Sequence, residues 1–530
     1  MAADRRGVQP CNASIPGDTE VDVRTKSRVP GAAVIALLPV LALLAAACGA
    51  TTSTPTPGSG ASGSVAYAVG ADPTTLDPQI TDDGNERAVN DNIYEPLVWR
   101  NGKTSAIEPL LATSWELKGD TTWEFKLRPN VKFTNGAAMN ADAVIASVKR
   151  IIDPALKSPQ FSYLNSITDA KKVDDLTVQV ITNGPDPALP SRMTWLKIID
   201  PAYVNNADFA NKPIGTGAYK FVEWRKGQSV TLTANPDYWG TAPTIKDVTI
   251  RVIPEVNTRL QALKANPPEI DLTANLSPEL ISQAPASVSA PSIEFYEIYI
   301  AKTTGSAPFA DKAVRQAANY AVDKEGILKS LLQGKGTVET GQIVRKDWVG
   351  YNPNLQPYPY DVAKAKSLLA GRTPDIRLVG TSGRWLKDKE IFEAVAAYLT
   401  AAGFKPRVEV QEFGTWVSTL FLPNEQKVDA IWGSTSGDLL DADRPLTQLA
   451  CPSKQTDWCN QQYTDLVNQA RSTTDAQQRQ NLYNQATELK REEAPLIWLV
   501  NPDDIYGMTT RLVFEPRTDG KIIFKEMSLK

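Results

Sequence analysis

The chain has 530 residues, of which 42% are hydrophobic and 22% charged, a balance typical of soluble globular proteins and not of disordered or membrane-spanning chains. Histidine is absent, which excludes Ser/His/Asp and Cys/His nucleophile pairs, HExxH zinc sites and axial imidazole ligands. The 56 basic and 60 acidic residues give a net charge of −4, so the charge balance does not favour nucleic acid as a partner.

An apolar run near the N-terminus predicts a secretory signal. Residues 31–47 carry no charge, follow a short basic segment and end immediately before Cys48. A spanning helix needs about 20 apolar residues and would be interrupted by Pro39, so a signal peptide over residues 1–47 is favoured and an uncleaved anchor is the alternative. The run LAAAC resembles a lipobox, which implies that Cys48 becomes the lipidated first residue.

A flexible tether follows the lipidated cysteine. Residues 49–64 are rich in Gly, Ser, Thr and Pro and contain no apolar side chain larger than alanine, so they cannot fold by burial. A flexible chain of this length holds the folded body roughly 20–25 Å from the lipid. We therefore expect an exported lipoprotein on the outer face of the cytoplasmic membrane. Cys11 lies before the cleavage point and has no expected role.

Helical and strand patterns interleave through the rest of the chain and predict a mixed α/β fold. Asn140 is placed to cap a helix, and Gly334, Gly371 and Gly403 to end three others. The last 35 residues are expected to return to strand. The predicted strands are 65–69, 123–127, 177–181, 229–234, 247–253, 294–300, 376–380, 407–413 and 428–432, and the predicted helices are 141–152, 311–322, 324–332, 361–371, 390–403 and about 475–491.

Six motifs occur in an order and spacing that identify a family. Together they resemble the extracytoplasmic solute-binding proteins of family 5, the dipeptide- and oligopeptide-binding components of ABC importers, over almost all of residues 65–530. The motifs are PTTLDPQ (73–79), IYEPLV (93–98), the long run IEPLLATSWEL to ADAV (107–144), PIGTGAYKFVEW with NPDYW (213–239), APFADKAVRQAANYAVDKEGI (307–327) and YDVAKAKSLLA (360–370).

This resemblance implies a two-lobed, periplasmic-binding-protein-like fold of type II, cluster C, with an extra subdomain inserted in the first lobe. The lobes close over a ligand that is then delivered to a permease in the membrane. Such a protein is not an enzyme, needs no cofactor or metal, and is expected to be a monomer. The implied boundaries are 65–100, 208–290 and 498–530 for lobe I, 101–207 for the inserted subdomain, and 291–497 for lobe II.

The segment SGDLLDAD (436–443) resembles the part of the family in which a carboxylate receives the ligand's α-ammonium. The matching residue is Asp438. The tryptophan usual three residues earlier is replaced by Thr435, with Trp432 further upstream. For Asp441 and Asp443 a solvated acidic loop is the favoured interpretation.

Other ligand contacts follow from the same resemblance. Arg384 lies within one residue of the arginine that binds a ligand carboxylate in dipeptide-binding members, and Lys387 competes for that role. An extended peptide backbone is expected to pair with strand edges. The residues expected to allow this pairing are Tyr94, Glu95, Ser436 and Gly437.

The segment CPSKQTDWC (451–459) resembles a small disulfide loop of dipeptide-binding relatives, which implies a bond between Cys451 and Cys459. A zinc site is disfavoured because two thiolates without histidine do not complete its shell. The tryptophans Trp115, Trp123 and Trp239 are favoured as core residues, and Gly215 and Gly217 as turn residues.

Three other functions remain as alternatives. Relatives of this kind also bind nickel complexes, haem, glutathione or opines, so a non-peptide solute is the alternative within the fold. A hydrolase using Asp438 and Asp441 as paired carboxylates is the alternative from another class. A membrane-bound sensor or chaperone is the third.

Overall fold

Helices and strands alternate along the chain in the computed structural model, which describes residues 63–81 and 83–530, and the expectation of a mixed α/β fold is confirmed. The predicted signal peptide, the lipidation site Cys48, Cys11 and most of the tether lie outside these residues. The strands are β1 Ser64–Val69, β2 Val98–Arg100, β3 Ile107–Pro109, β4 Ala112–Lys118, β5 Thr122–Leu127, β6 Ile167–Asp174, β7 Thr177–Thr182, β8 Tyr219–Arg225, β9 Ser229–Ala234, β10 Asp247–Val252, β11 Leu272–Thr273, β12 Ala286–Pro291, β13 Glu294–Ile300, β14 Gly336–Val338, β15 Asp375–Thr381, β16 Lys405–Gln411, β17 Ala430–Ser436, β18 Leu496–Met508, β19 Leu512–Val513 and β20 Ser528–Leu529.

Eight of the thirteen described helices begin at a residue whose side chain accepts from a free backbone N–H group. Asn140 caps the second helix as predicted, because its side chain accepts from the N–H groups of Asp142 and Ala143. The helices are α1 Gly84–Ile93, α2 Ala141–Ile152, α3 Phe161–Leu164, α4 Leu189–Arg192, α5 Val256–Lys264, α6 Lys312–Ala321, α7 Lys324–Ser330, α8 Val362–Leu369, α9 Asp388–Ala402, α10 Phe413–Leu420, α11 Asp443–Thr447, α12 Gln461–Ser472 and α13 Ala476–Glu493.

Of two expectations about the chain ends, one differs from the structure and the other is confirmed in part. Strand β1 already starts at Ser64, so the tether is shorter than composition indicated, because the β1 backbone pairs with β10 from its first residue. The last 35 residues return to strand as expected through β18, which covers Leu496–Met508. After β18 the chain forms only the two-residue strands β19 and β20, and the remaining residues are largely irregular.

One large sheet runs through the described part of the chain and joins twelve strands. Its order is β16-β15-β17-β13-β18-β11-β1-β10-β9-β8, with β12 and β14 also paired to β18. Strands β16, β15 and β17 are parallel to one another. A separate antiparallel sheet has the order β4-β5-β7-β6.

Three main hydrophobic cores form around these sheets. Core I contains β1, the buried face of α1 and strands β8 to β10. Core II contains the four-stranded sheet and α2, with Trp115, Trp123 and Trp239 packed against it as expected. Core III contains β13, β15, β17 and helices α6, α9, α12 and α13.

The long strand β18 belongs to both core I and core III. Its first half pairs with β13 and β14, and its second half pairs with β11 and β12. Val500 is buried in core III, whereas Tyr506 is buried in core I. The segment from β12 to β13 runs antiparallel to β18 and also connects the two cores. Val288 in this segment packs on core I, and Ile293 is buried in core III. Cores I and III are therefore joined at adjacent strands.

Candidate functional site

The carboxyl ends of three parallel strands meet at one edge of core III. Thr381 at the end of β15 is in register with Gln411 at the end of β16, and β17, which pairs in parallel with β15 at Ala430 and Ile431, continues past them to Ser436. Open α/β sheets bind ligands outside such an edge. Arg384 and Asp438 follow β15 and β17 by a few residues, so the fold brings these two predicted ligand residues to the same edge.

Arg384 lines a cavity of about 440 Å³ at this edge. Its guanidinium lies 5.4 Å from the Trp385 ring centroid and 5.8 Å from that of Phe413. The loop that carries it is held by Asp388, whose carboxylate accepts from the backbone N–H groups of Gly383, Arg384 and Trp385. The cavity is lined by Ser382, Gly383, Arg384, Val410, Gln411, Glu412 and Phe413.

Lys387, the competing candidate for a ligand carboxylate, is paired elsewhere. Its Nζ lies 2.8 Å from Oε1 of Glu279 and also reaches Glu390 in the first turn of α9. Arg384 is instead paired with Asp83, at 3.6 Å between Nη2 and Oδ2.

Asp438 is buried, with 5% of its surface exposed, and has several partners. Its carboxylate accepts a charge-assisted hydrogen bond from Arg444, accepts from the Tyr163 hydroxyl at 3.3 Å, and lies 3.6 Å from Nη1 of Arg87. Burial by itself would raise the pKa of Asp438, but the guanidiniums of Arg444 and Arg87 outweigh burial and lower that pKa. Asp438 is therefore an ionised carboxylate.

The segment before Asp438 is fixed by backbone and ring contacts. The Gly437 N–H donates to the Ile293 carbonyl at 2.9 Å, and any β-carbon at Gly437 would collide with the Trp348 ring. The Ser436 carbonyl accepts from Nη1 of Arg444 at 2.8 Å. Strand β15 pairs with β17 at Ala430 and Ile431, so in the described structure the later residues of β17 have a strand partner on the β13 side alone.

The side chains of Tyr94 and Glu95 lie inside the protein. Tyr94 is fully buried in core I. Glu95 accepts hydrogen bonds from Thr216, Tyr238 and Trp239 at 2.9, 2.7 and 2.8 Å, and burial raises its pKa. The Glu95 carbonyl also accepts from the Ile198 N–H. The structure therefore does not bring these side chains together with Arg384 and Asp438, and their contact with a ligand stays a prediction.

The solvated acidic loop expected at Asp441 and Asp443 is wrong. Asp441 is 3% exposed and binds both Nη atoms of Arg479, and Asp443 is 1% exposed and lies between Arg192 and Arg471. These arginines lie far from the two aspartates in sequence, so nothing in the segment itself indicates that its charges are neutralised. Asp438 and Asp441 are held by different arginines.

Five residues of this site were not found from the sequence. Four of them come from segments distant in the chain from their partners, so no local pattern indicates the pairing. The fifth, Arg444, lies six positions after Asp438 and was not singled out. The five residues are Asp83, Arg87, Tyr163, Trp195 and Arg444.

Gly215 and Gly217 were expected to be turn residues, but the structure explains them by close packing. A β-carbon on Gly215 or Gly217 would collide with the backbone of Ile93 at the end of α1. Each glycine is therefore required where two segments approach.

The predicted disulfide between Cys451 and Cys459 is confirmed in the structure, with the two Cα atoms 5.3 Å apart. It closes a loop in which Trp458 is buried against Tyr463 of α12.

Among residues 63–81 and 83–530, no helix is both long and apolar enough to cross a membrane.

Comparison with known proteins identifies relatives of the whole body. A family model described as bacterial extracellular solute-binding proteins, family 5 Middle, matches residues 106–457. Heme-binding protein A of Haemophilus influenzae is 28% identical, covering 81% of this chain and 86% of the relative. The dipeptide-binding protein of Escherichia coli is also 28% identical, covering 81% of this chain and 88% of the relative.

Solved structures share the fold. The periplasmic binding protein DppA from Helicobacter pylori, solved in complex with the peptide STSA, is 27% identical with a TM-score of 0.73, covering 88% of this chain and 98% of that one. HbpA2 from Haemophilus parasuis is 25% identical with a TM-score of 0.76, covering 88% and 100% of the two chains. The fold is therefore the two-lobed fold of periplasmic binding proteins, and the chain belongs to the bacterial extracellular solute-binding proteins of family 5.

Proposed function

We propose that this chain is the substrate-binding component of an ABC importer and captures short peptides between its two lobes for delivery to a membrane permease. Family membership supports a binding role and not a catalytic one. Relatives named as dipeptide-binding and di/tripeptide-binding proteins support the peptide ligand.

The observation that carries the proposal is the position of two opposite charges at one sheet edge. Arg384, partly exposed beside a cavity, offers the bidentate geometry that a peptide carboxylate prefers. Asp438, ionised and buried, offers the charged oxygens that an α-ammonium needs when it leaves water. A ligand with a free amine and a free carboxylate matches both.

The peptide backbone would add to the sheet. Beyond Ile431, strand β17 pairs with β13 and leaves its other edge open among the described residues. An extended peptide can donate to and accept from such an edge without depending on its side chains. We expect Ser436 and Gly437 to make these backbone contacts, and the backbone of Tyr94 and Glu95 to allow such pairing from the other lobe.

The two lobes would close over the ligand by moving about the segments that connect them. We assign lobe I to residues 65–100, 208–290 and 498–530, with the subdomain 101–207 inserted in it, and lobe II to residues 291–497. Cores I and III support this division to within a few residues, because within the described residues the chain crosses between them only near Val288 to Ile293 and Val500 to Tyr506. Trp498 to Val500, at the start of the last lobe I segment, still pack in core III. A ligand that contacts both lobes shifts the population toward the closed form.

Export and lipidation complete the proposal. The apolar run before Cys48 and the lipobox-like LAAAC sequence support a lipoprotein held on the outer face of the cytoplasmic membrane. We expect the protein to act there as a monomer.

Native mass spectrometry of the purified chain tests the ligand class. Short peptides released on denaturation support the proposal. Release of haem, a metal complex or glutathione would contradict a peptide ligand and would support the alternative, a non-peptide solute bound by the same fold. If no small molecule copurifies, calorimetric titration with a mixed dipeptide library decides, and the absence of heat with that library contradicts the proposal.

A further inference from the structure

Two residues of one helical turn pair with the two charged residues of the cleft. Asp83, the N-cap of α1, lies 3.6 Å from Arg384, and Arg87 in the same turn lies 3.6 Å from Asp438. We call Asp83 and Arg87 the charged turn. It therefore presents an anion to Arg384 and a cation to Asp438.

The spacing within the charged turn resembles the spacing of charges in a short peptide. The Arg87 N–H donates to the Asp83 carbonyl at 3.0 Å, so the two residues are one turn apart on the same face of the helix. Side chains four residues apart in a helix have β-carbons about 5–6 Å apart. An extended dipeptide spans about 7 Å, since each residue adds at most about 3.3–3.6 Å.

The charged turn and its partners belong to different cores. Helix α1 is anchored in core I through Ala88, Val89 and Ile93. Arg384 and Asp438 follow strands β15 and β17 of core III. Both ion pairs therefore bridge the two lobes, and any rotation that separates the lobes must break them.

We propose that the charged turn is an internal stand-in for a zwitterionic ligand: in the ligand-free protein it adds to the contacts between the lobes through Arg384 and Asp438, beside the buried Arg192–Asp443 ion pair of the inserted subdomain, and a short zwitterion displaces it on binding. The identity of the displacing ligand rests on the proposed function, whereas the bridging role does not. The ligand carboxylate replaces Asp83 at Arg384, and the ligand ammonium replaces Arg87 at Asp438.

Displacement has a defined consequence for affinity. The stand-in stabilises a closed form that is not competent to bind, so the measured affinity is reduced by the fraction of molecules in that form. Removing the charges of Asp83 and Arg87 leaves the contacts of the liganded form unchanged and removes the groups that compete with the ligand. Peptide binding is therefore expected to become tighter, although two ion pairs, Asp83–Arg384 and Arg87–Asp438, have been deleted.

The variant Asp83→Asn with Arg87→Gln removes both charges and preserves the helix. Asparagine is as good an N-cap as aspartate, and glutamine is a good helix former. The matched control is Asp375→Asn with Arg407→Gln, which deletes an exposed ion pair of 2.8 Å between the neighbouring strands β15 and β16, both assigned to lobe II.

Small-angle X-ray scattering on ligand-free protein tests the bridging role. The proposal predicts a larger radius of gyration for the Asp83→Asn, Arg87→Gln variant than for wild type and for the control, with thermal stability retained. An unchanged radius of gyration in the variant overturns the proposal, whatever the peptide affinities are.

Calorimetry with a dipeptide such as Ala-Leu tests displacement. The variant is expected to bind it several-fold more tightly than wild type and the control, and an equal or weaker affinity overturns the stand-in. If wild type, control and variant all fail to bind dipeptides, the proposed function fails, and the scattering comparison still decides whether the charged turn bridges the lobes.

Discussion

Asp441 accepts from both Nη atoms of Arg479, at 2.8 and 2.9 Å, in an ion pair where both side chains are less than a tenth exposed. Removing one partner of such a pair leaves the other charge buried, which typically costs about 3–5 kcal/mol. We expect Asp441→Asn to lower the free energy of unfolding by an amount near that range in urea denaturation. The exposed Asp375→Asn serves as control and should change it by less than about 1 kcal/mol. Equal effects of the two substitutions would contradict the buried ion pair.

Stability should fall between mildly acidic and mildly basic pH because of Glu297. This side chain is fully buried in core III, where it accepts from Thr435, and burial raises its pKa from 4.5 to about 8 despite that hydrogen bond and the charge of Lys490. An acid whose folded pKa is raised stabilises the fold below its unfolded pKa, and this contribution is lost as the pH rises from 4.5 to about 8.

The substitution Glu297→Gln removes this titration. Each pKa unit corresponds to about 1.4 kcal/mol, so wild type should lose up to a few kcal/mol more stability than Glu297→Gln between pH 5 and pH 8. Free energies of unfolding at several pH values measure the difference. Parallel pH profiles for the two proteins would show that Glu297 titrates normally.

The Cys451–Cys459 disulfide should contribute modestly to stability, because it closes a short loop. The chain-entropy model gives on the order of 2–3 kcal/mol for a loop of this size. We expect the double variant Cys451→Ser, Cys459→Ser to fold and to unfold at lower urea concentration than wild type. Dithiothreitol should shift wild type toward the variant and leave the variant unchanged, and a shift of both proteins would point to another cause.

Membrane attachment should depend on Cys48. Diacylation is sufficient for stable anchoring without a spanning helix, since each buried CH₂ contributes roughly 0.8 kcal/mol. We expect Cys48→Ala to abolish lipid incorporation and to prevent cleavage at this position, as judged by mass spectrometry of the membrane fraction. A wild-type chain that keeps residues 1–47 and carries no lipid would contradict the lipoprotein assignment.

Local features of the fold could be read from the sequence because their partners are near in the chain. The Asn140 cap bonds within its own first turn, and Gly403 ends α9 with a φ of +110°. The bond between Cys451 and Cys459 spans eight positions. Each of these features depends on a few neighbouring residues.

Features that depend on distant segments could not be predicted in this way. Arg192 reaches Asp443 over a separation of 251 residues, and no local pattern identifies either as the other's partner. Leu439 is buried in core II, although it follows a strand of core III. The sequence therefore indicated Arg384 and Asp438 through resemblance, whereas their pairing with Asp83 and Arg87 required the fold.

A double cycle in calorimetry tests whether Arg384 and Asp438 bind a peptide zwitterion. Asp438→Asn keeps the size of the side chain and removes its charge, which should weaken binding of a free dipeptide by about 30-fold to a few thousand-fold, corresponding to roughly 2–5 kcal/mol. Exposed Asp375→Asn is the control and should bind as wild type does.

The second arm of the cycle removes the ammonium from the ligand. An N-acetylated dipeptide should bind wild type with a comparable loss, and should bind Asp438→Asn with no further loss, because both changes delete the same interaction. Binding of the free dipeptide by Asp438→Asn within a few-fold of wild type, or equal binding of free and acetylated peptide by wild type, would contradict the account.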